Sequence, residues 1–265
     1  MSMNTNPINS KFDSPILELK DVSKSFFLHQ RSSSPFKVLE NITFSVSAGE
    51  CVALEGASGM GKSSILKMIH GNYKVSAGHI FIQHTENNYI DVAKGHARDI
   101  LDLRTSCINY VSQFLRAIPR VGAFDLIKQE AIYFLQKVKR PQSQAVELPT
   151  LILSKQEIQD LDAKVEAILQ KLQISPRLWH LPPSTFSGGE QQRINLAKSL
   201  INPKPLLLLD EPSASLDHDN TEIVIDLIHE ARQCGTAILG IFHDADVKNK
   251  LMTRSISMHD FQPKP

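Results

Sequence analysis

Short apolar runs alternate with amphipathic stretches along most of the chain. The runs at 51–54, 206–209 and 236–242 have no polar alternation, which is typical of strands buried on both faces of a parallel sheet. Apolar residues at helical spacing predict helices at 65–69 and 221–232. Strands that alternate with helices predict an α/β core with a mostly parallel sheet.

The beginning of the chain follows a different pattern. Residues 1–15 are mostly polar and are predicted to be a disordered leader. Strand-like stretches follow at 16–22 and 38–46, and a turn-forming Ser-Ser-Ser-Pro sequence at 32–35 separates them. These elements predict a small antiparallel layer at one edge of the core.

The middle of the chain is predicted to be mostly helical. Apolar residues recur at helical spacing over 124–138 and 160–172. We therefore expect 98–183 to be a helical subdomain inserted in the core, with an extra excursion near 138–156. The predicted organisation is one domain over 16–262, whose α/β core consists of 16–97 and 184–262.

Composition and charge limit the possible functions. The chain has 265 residues, of which 42% are hydrophobic, enough for a large packed core. Its 29 basic and 28 acidic residues give no basic excess that would indicate nucleic-acid binding. No apolar stretch approaches the ~20 residues of a membrane-spanning helix, so direct membrane insertion is not expected.

The three cysteines show neither a disulfide framework nor metal-ligand spacing. Cys51, Cys107 and Cys234 are far apart and odd in number. We expect all three to be small buried residues in a reducing compartment, and therefore a cytoplasmic protein.

A phosphate-binding loop is predicted between the strand at 51–54 and the helix at 65–69. Residues 56–63 follow the pattern G-x-x-x-x-G-K-[ST], in which glycines let backbone N–H groups turn toward phosphate oxygens. Lys62 would bridge the β- and γ-phosphates of ATP, and Ser63 would ligate Mg²⁺. The predicted nucleotide-binding residues here are Gly56, Ala57, Ser58, Gly59, Met60, Gly61, Lys62, Ser63 and Ser64.

Several polar residues follow the ends of predicted buried strands. Asp210 would hold Mg²⁺, and Glu211 would polarise the attacking water. Gln113 follows the strand at 108–111 and could ligate Mg²⁺ or position water, and His243 could hydrogen-bond the γ-phosphate. Because the carboxyl ends of parallel strands meet at one edge, we expect these side chains to gather there.

Two further segments could contact a nucleotide. Ser187, Gly188, Gly189 and Glu190 precede a predicted helix and form a second anion-binding helix start. One chain has no need of two γ-phosphate sites, so this pattern favours a head-to-tail dimer. Phe26, upstream of the phosphate loop, could stack on adenine, although an edge-strand aromatic is also ordinary core.

Together these residues resemble the ATP-binding cassette (ABC) ATPase family over 15–260. The resemblance makes 56–63 the Walker A loop, 206–211 Walker B, Gln113 the Q-loop glutamine and His243 the switch histidine. It also implies a signature motif at 187–191 and a D-loop that contains Asp217. Glu190 stands where the commonest signature has glutamine. The family's P-loop fold, Mg²⁺-dependent ATP hydrolysis and dimer follow as expectations.

Three segments resemble a narrower group, the ABC proteins of bacterial carbon–phosphorus lyase systems. They are 111–120, 178–193 and 240–244. This resemblance implies work with soluble lyase core subunits and a second ABC protein. The associated step forms ribose 1-phosphonate 5-triphosphate from ATP and a phosphonate, and this chain would supply ATP-driven conformational work.

A membrane transporter is the alternative setting for such a subunit. Signatures like 187–193 are also common in lipoprotein-release and macrolide-export ATPases, and a phosphonate-uptake ATPase belongs to the same alternative. In that case a separate membrane subunit would dock on the helical subdomain. A non-catalytic regulator is disfavoured, because Lys62, Asp210, Glu211 and His243 are all present.

Overall fold

The computed structural model describes residues 14–26, 36–113, 120–138 and 153–263. Residues 1–13 of the predicted leader, the turn at 32–35, the segment 114–119 and most of the predicted excursion near 138–156 lie outside the described residues.

The described residues form nine strands and seven α-helices. The strands are β1 (Leu17–Phe26), β2 (Phe36–Val46), β3 (Cys51–Glu55), β4 (Ala77–Thr85), β5 (Asn88–Asp91), β6 (Ile108–Val111), β7 (Leu206–Asp210), β8 (Ala237–Ile241) and β9 (Arg254–Ser257). The helices are α1 (Lys62–Ile69), α2 (Ala97–Ser106), α3 (Ala123–Val138), α4 (Lys155–Lys171), α5 (Gly188–Leu200), α6 (His218–Gln233) and α7 (Ala245–Leu251).

A five-stranded parallel sheet lies at the centre, in the order β6-β7-β8-β3-β9. Val111 of β6 is level with Leu209 of β7, which is level with Gly240 of β8. The carboxyl ends of four adjacent strands, β6, β7, β8 and β3, therefore meet at one edge. The predicted α/β fold class is confirmed.

The antiparallel edge layer is also confirmed. It has four strands in the order β2-β1-β4-β5, and every neighbouring pair is antiparallel. β4 and β5 come after α1 in the chain, so this layer takes in residues well beyond the predicted opening strands. Packing against the parallel sheet gives its apolar face a partner.

Alternating residues of the central strands face two separate hydrophobic cores. Leu206 and Leu208 pack into a core shared with α1 and the antiparallel layer, whereas Leu207 and Leu209 pack into a core shared with α3 to α6. All four are at most 1% exposed. Because each face has its own apolar partner, the strand needs an unbroken apolar run.

The predicted helices in the middle of the chain are present as α3 and α4. α4 begins at Lys155, earlier than its apolar spacing predicts, because Ser154 and Glu157 form a reciprocal capping box. β6 pairs with β7 inside the parallel sheet, so the stretch 98–183 is not wholly a separate helical region. Within this stretch α2 precedes β6, and α3 and α4 follow it.

Two of the three cysteines are buried as expected, and one is not. Cys51 and Cys107 are buried, but the prediction is wrong for Cys234, which caps the C-terminus of α6 and is exposed. A helix end at the surface leaves its cap residue in solvent.

Among the described helices, none is long and apolar enough to cross a membrane.

Candidate functional site

The phosphate loop joins β3 to α1 through backbone that favours glycine. Gly59 and Gly61 have φ angles of +85° and +88°, in the left-handed region that glycine adopts without strain. Gly61 is the N-cap of α1, and a Cβ there would lie 3.0 Å from Leu39 Cδ1. The loop therefore presents the N-terminus of α1, with its positive dipole end, to the edge where the strands end.

Lys62 is held at the mouth of this loop. Its side chain is buried, and Nζ donates hydrogen bonds to Gly56 O at 2.7 Å and Ala57 O at 3.0 Å. Both acceptors are neutral carbonyls, so the charge of the ammonium group stays available to an anion in the loop. Ser58 and Gly59 are exposed, and Ser64 is in the first turn of α1.

Met60 supports the loop from inside. The Ala57 N–H donates to Met60 Sδ at 3.1 Å, and Gln262 Nε2 donates to the Met60 carbonyl at 3.2 Å. Gln262 follows a 3₁₀ turn at Met258–Phe261. The end of the described chain thus braces the phosphate loop.

Oxygen atoms converge where Ser63 meets Asp210. Ser63 Oγ donates to Asp210 Oδ1 at 2.9 Å, and the Tyr110 hydroxyl donates to Asp210 Oδ2 at 3.1 Å. Asp210 is only 5% exposed. A hydroxyl and a carboxylate next to a phosphate loop are the oxygen donors that Mg²⁺ prefers, so these residues fit the predicted ion.

Glu211 is fixed between two of the predicted catalytic residues. Its Oε1 lies 2.7 Å from His243 Nε2, and its Oε2 accepts from Gln113 Nε2 at 3.2 Å. Its backbone has φ +56°, an unusual left-handed conformation, and its N–H donates to Ile241 O at 3.1 Å. The structure thus brings together Gln113, Glu211 and His243 from the ends of three different strands.

The predicted signature segment starts α5. Ser187 is its N-cap, and the Ser187 hydroxyl donates to Glu190 Oε2 at 2.8 Å, while the Glu190 N–H donates back to that hydroxyl. The hydrogen bonds that Glu190 Oε2 accepts from the Ser187 hydroxyl and the Ser187 N–H keep the pKa of Glu190 below its usual value. Ser187 and Gly188 are exposed, so this helix start faces outward.

The signature segment also contacts the predicted D-loop. A Cβ on Gly189 would lie 2.8 Å from the Ser215 carbonyl oxygen, so only glycine allows this approach. Asp217 is the N-cap of α6 and accepts from the Asn220 N–H at 2.9 Å, and this hydrogen bond lowers its pKa.

Phe26 lies at the end of β1 in a small cationic–aromatic cluster. Its ring meets Tyr73 edge to face, with centroids 5.7 Å apart. Lys24 Nζ lies 4.5 Å from the Phe26 centroid. The ring is half-buried, so the predicted stacking on adenine remains a prediction.

Two buried amides of α5, which the sequence analysis did not single out, connect the signature helix to the site. Gln192 Nε2 donates to Pro212 O at 3.2 Å, directly after Glu211. Asn195 Nδ2 donates to Ser112 O at 2.7 Å, directly before Gln113. Both side chains are at most 6% exposed. Because α5 carries polar residues along most of its length, the sequence has no distinct signal for these two amides.

Comparison with known proteins agrees with this geometry. Residues 39–214 match the family model described as "ABC transporter". The chain therefore belongs to the ABC family and is an ATP-binding ABC ATPase subunit.

Several relatives are similar to most of this chain. The lipoprotein-releasing system ATP-binding protein LolD of Idiomarina loihiensis is 31% identical over 89% of this chain and 91% of its own length. An ABC transporter ATP-binding protein of Bacillus subtilis, YvrO, is 29% identical over 89% and 90%. The macrolide export protein MacB of Brucella abortus is 30% identical over 94% of this chain but only 34% of its own length.

A solved structure has the same fold. A dimeric ABC cassette, MJ0796, bound to ADP and phosphate, has a TM-score of 0.74 with 23% identity and covers 91% of this chain and 93% of its own.

Proposed function

We propose that this protein hydrolyses ATP in a head-to-tail pair of ABC subunits and so drives movement in a larger assembly. The observation that supports this most directly is Glu211, held by His243 and Gln113 beside the Ser63–Asp210 pair. A carboxylate fixed next to a phosphate loop is placed to act on water at the γ-phosphate.

Different residues of the site would bind the phosphates and the magnesium ion. The loop N–H groups and Lys62 bind the β- and γ-phosphates, and Ser64 adds a hydrogen bond. Ser63 and Asp210, with Gln113, would hold Mg²⁺, which would neutralise the charge that develops on the phosphate oxygens. Tyr110 fixes the Asp210 carboxylate through its second oxygen.

Glu211 and His243 would handle the attacking water. Glu211 accepts its proton on a carboxylate oxygen, and the two hydrogen bonds to Glu211 keep that oxygen in place. His243 is mostly exposed, so it can also reach the γ-phosphate and respond to its loss. Gln113 carries no charge, so it can move away without leaving a buried ion behind.

A second copy would complete the site. Ser187 and Gly188 face solvent at the start of α5, where the backbone N–H groups of a first helical turn can bind a γ-phosphate. In a head-to-tail pair this helix start closes on the nucleotide of the partner, and Asp217 lies near the interface. The dimeric cassette with the same fold supports this arrangement.

A membrane transporter is the assembly that the relatives support. LolD belongs to a lipoprotein-releasing system and MacB is an export protein, and both are about 30% identical to this chain. A multi-spanning subunit would bind the helical part around α3, and the chain would work at the cytoplasmic face of the membrane.

A carbon–phosphorus lyase complex is the second candidate, favoured by particular residues. The sequences at 178–193 and 240–244 resemble the ABC proteins of that system, as does 111–120, of which 114–119 lies outside the described residues. In this setting the partners are lyase core subunits in the cytoplasm. The chain would then be a subunit of a ribose 1-phosphonate 5-triphosphate synthase.

One affinity purification separates the two assemblies. The tagged chain is isolated with ATP from its own host, grown on a phosphonate as sole phosphorus source, with and without detergent. Recovery of a multi-spanning protein only with detergent supports the transporter, and recovery of lyase core subunits without detergent supports the lyase complex. Purification of the chain without either, even with bound ATP, contradicts both.

A further inference from the structure

A cavity with cationic walls lies behind the predicted magnesium site. Its volume is about 620 Å³, and Ser63 and Asp210 form one end of its wall. A second cavity of about 430 Å³ adjoins it and extends along α3 to Tyr133 and Phe134. Both are far larger than the roughly 30 Å³ that one water molecule occupies in the liquid.

The charges on the larger cavity's wall favour an anion. Its lysines and arginine outnumber its carboxylates by two; the cationic side chains are Lys67, Arg104, Lys198 and Lys204, and the acidic ones are Glu130 and Asp210. Asp210 is already bound by Ser63 and Tyr110, and Glu130 lies 3.1 Å from Lys198 Nζ. An incoming anion would therefore meet a net positive surface.

Arg104 contributes a charge whose hydrogen bonds go to neutral groups. Its Nε donates to His70 O and its Nη2 to Asn72 Oδ1, each at 2.8 Å. Burial lowers the pKa of this guanidinium, which shows that its charge is partly desolvated. Since a guanidinium has five N–H donors, others remain for a ligand.

His70 lies on the same wall and carries no charge at physiological pH. Burial, reinforced by the charge of Arg104, lowers the pKa of His70 to about 4, so the ring is neutral at physiological pH. Its Nδ1 is buried and has no hydrogen-bond partner among the described residues. A side-chain hydrogen bond with Asn72 raises the pKa but has a smaller effect than burial, so the ring adds no positive charge to the wall and the lysines and Arg104 supply the attraction for an anion.

We propose that this cavity binds a tetrahedral phosphorus oxyanion through Arg104, Lys198 and Lys67. Its source is either the phosphate that hydrolysis releases at Asp210 or a phosphorus oxyanion that enters along α3. The first source rests on the proposed ATPase function, whereas the binding site itself does not.

Equilibrium dialysis with radiolabelled inorganic phosphate tests the site without turnover. The protein is first saturated with Mg²⁺ and a non-hydrolysable triphosphate analogue, which fills the phosphate loop. We expect one phosphate per chain, bound at least about tenfold more weakly in Lys198→Ala and in Arg104→Gln, because each variant loses a charge-assisted hydrogen bond.

Lys171→Ala is the matched control. It removes a lysine that pairs with Glu230 at 2.6 Å on the outer face of α4 and should leave phosphate binding unchanged. Lys198 is partly exposed, so Lys198→Ala should fold even if Arg104→Gln does not. Absence of bound phosphate in the parent protein, or equal binding in the parent and Lys198→Ala proteins, would overturn the proposal.

Competition with methylphosphonate distinguishes the two sources. Tighter binding of inorganic phosphate supports its role as released product, and equal or tighter binding of methylphosphonate supports a ligand that enters from outside. Because the nucleotide analogue is not hydrolysed, the measured binding of phosphate and methylphosphonate does not depend on whether the protein is an active ATPase.

Discussion

An unfavourable backbone conformation at a single residue, Glu211, sets the geometry of this site. Glu211 has a left-handed backbone, which costs a non-glycine residue on the order of 1 kcal/mol or more. The hydrogen bond from its N–H to Ile241 O fixes this conformation and aims its carboxylate between His243 and Gln113. Local strain here is coupled to the placement of the proposed base.

Replacing the proposed base should separate ATP binding from hydrolysis. We expect Glu211→Gln to bind ATP normally and to hydrolyse it about 100-fold or more slowly, on the scale of a lost general base. Phosphate release and nucleotide binding are measured on the same preparation. Near-normal turnover would remove Glu211 from this role.

Gly240 shows how tightly β8 is packed beneath the site. A Cβ at this position would lie 2.4 Å from the ring of Phe242, which is 3% exposed and so cannot move aside freely. We expect Gly240→Ala to lower the free energy of unfolding by about 1–3 kcal/mol in urea titrations, the usual cost of overpacking.

Gly188→Ala is the control for that substitution. Its Cβ would meet Ser215 only at 3.8 Å, an ordinary contact. Equal stability losses in the two variants would show that the contact with Phe242 does not explain the Gly240→Ala result.

The helix α5 joins the predicted signature segment to the residues next to Glu211 and Gln113. It begins at the exposed Ser187 cap, and its buried amides reach Pro212 and Ser112. One rigid helix thus connects the surface proposed to meet the partner's nucleotide with the residues that flank Glu211 and Gln113. A shift of α5 would move these flanking segments with it.

Removing one of these amides should affect both stability and catalysis. Asn195→Ala removes the buried hydrogen bond to the Ser112 carbonyl, so we expect a loss of about 1–3 kcal/mol in unfolding free energy. Hydrolysis should also slow, because Gln113 follows Ser112 directly. Gln156→Ala, which removes an exposed bond to Asp160 on α4, should change stability by less than about 0.5 kcal/mol. Unchanged turnover in Asn195→Ala would contradict the linking role of α5.

At the scale of the whole molecule, the proposed pair makes each active site depend on two chains. The phosphate loop and Glu211 lie at one edge of the parallel sheet, and the outward-facing Ser187 segment is free to serve another copy. A pair related by two-fold symmetry would contain two identical composite sites.

Mixing two inactive variants tests this arrangement. Lys62→Ala removes the proposed phosphate-binding lysine, and Ser187→Arg blocks the predicted signature segment. In an equal mixture about half of the pairs are mixed. One of the two sites in each mixed pair combines an intact loop with an intact signature, so the mixture should recover about a quarter of the parent ATPase activity. Two preparations of Lys62→Ala mixed together serve as the control. Absence of recovery in the mixture would rule out a functional homodimer and favour pairing with a different ABC protein.

The sequence by itself determined the class of protein and most of its core. The phosphate loop, the Asp210–Glu211 pair and His243 could be found because each follows an apolar run that only a strand buried on both faces explains. Parallel strands place their carboxyl ends at one edge, so the meeting of these residues followed from the pattern.

The tertiary structure decided the contacts between residues that lie far apart in the chain, because such contacts have no periodic signal in the sequence. The pattern predicts the strand at 108–111, but only the folded sheet pairs β6 with β7 and brings Tyr110 to Asp210, 100 residues away. The bonds of Asn195 and Gln192, the exposure of Cys234 and the cationic cavity likewise depend on which surfaces the packed elements bring together. Local patterns specify which face of an element is apolar, whereas polar contacts across the core depend on the packed geometry of all the elements at once.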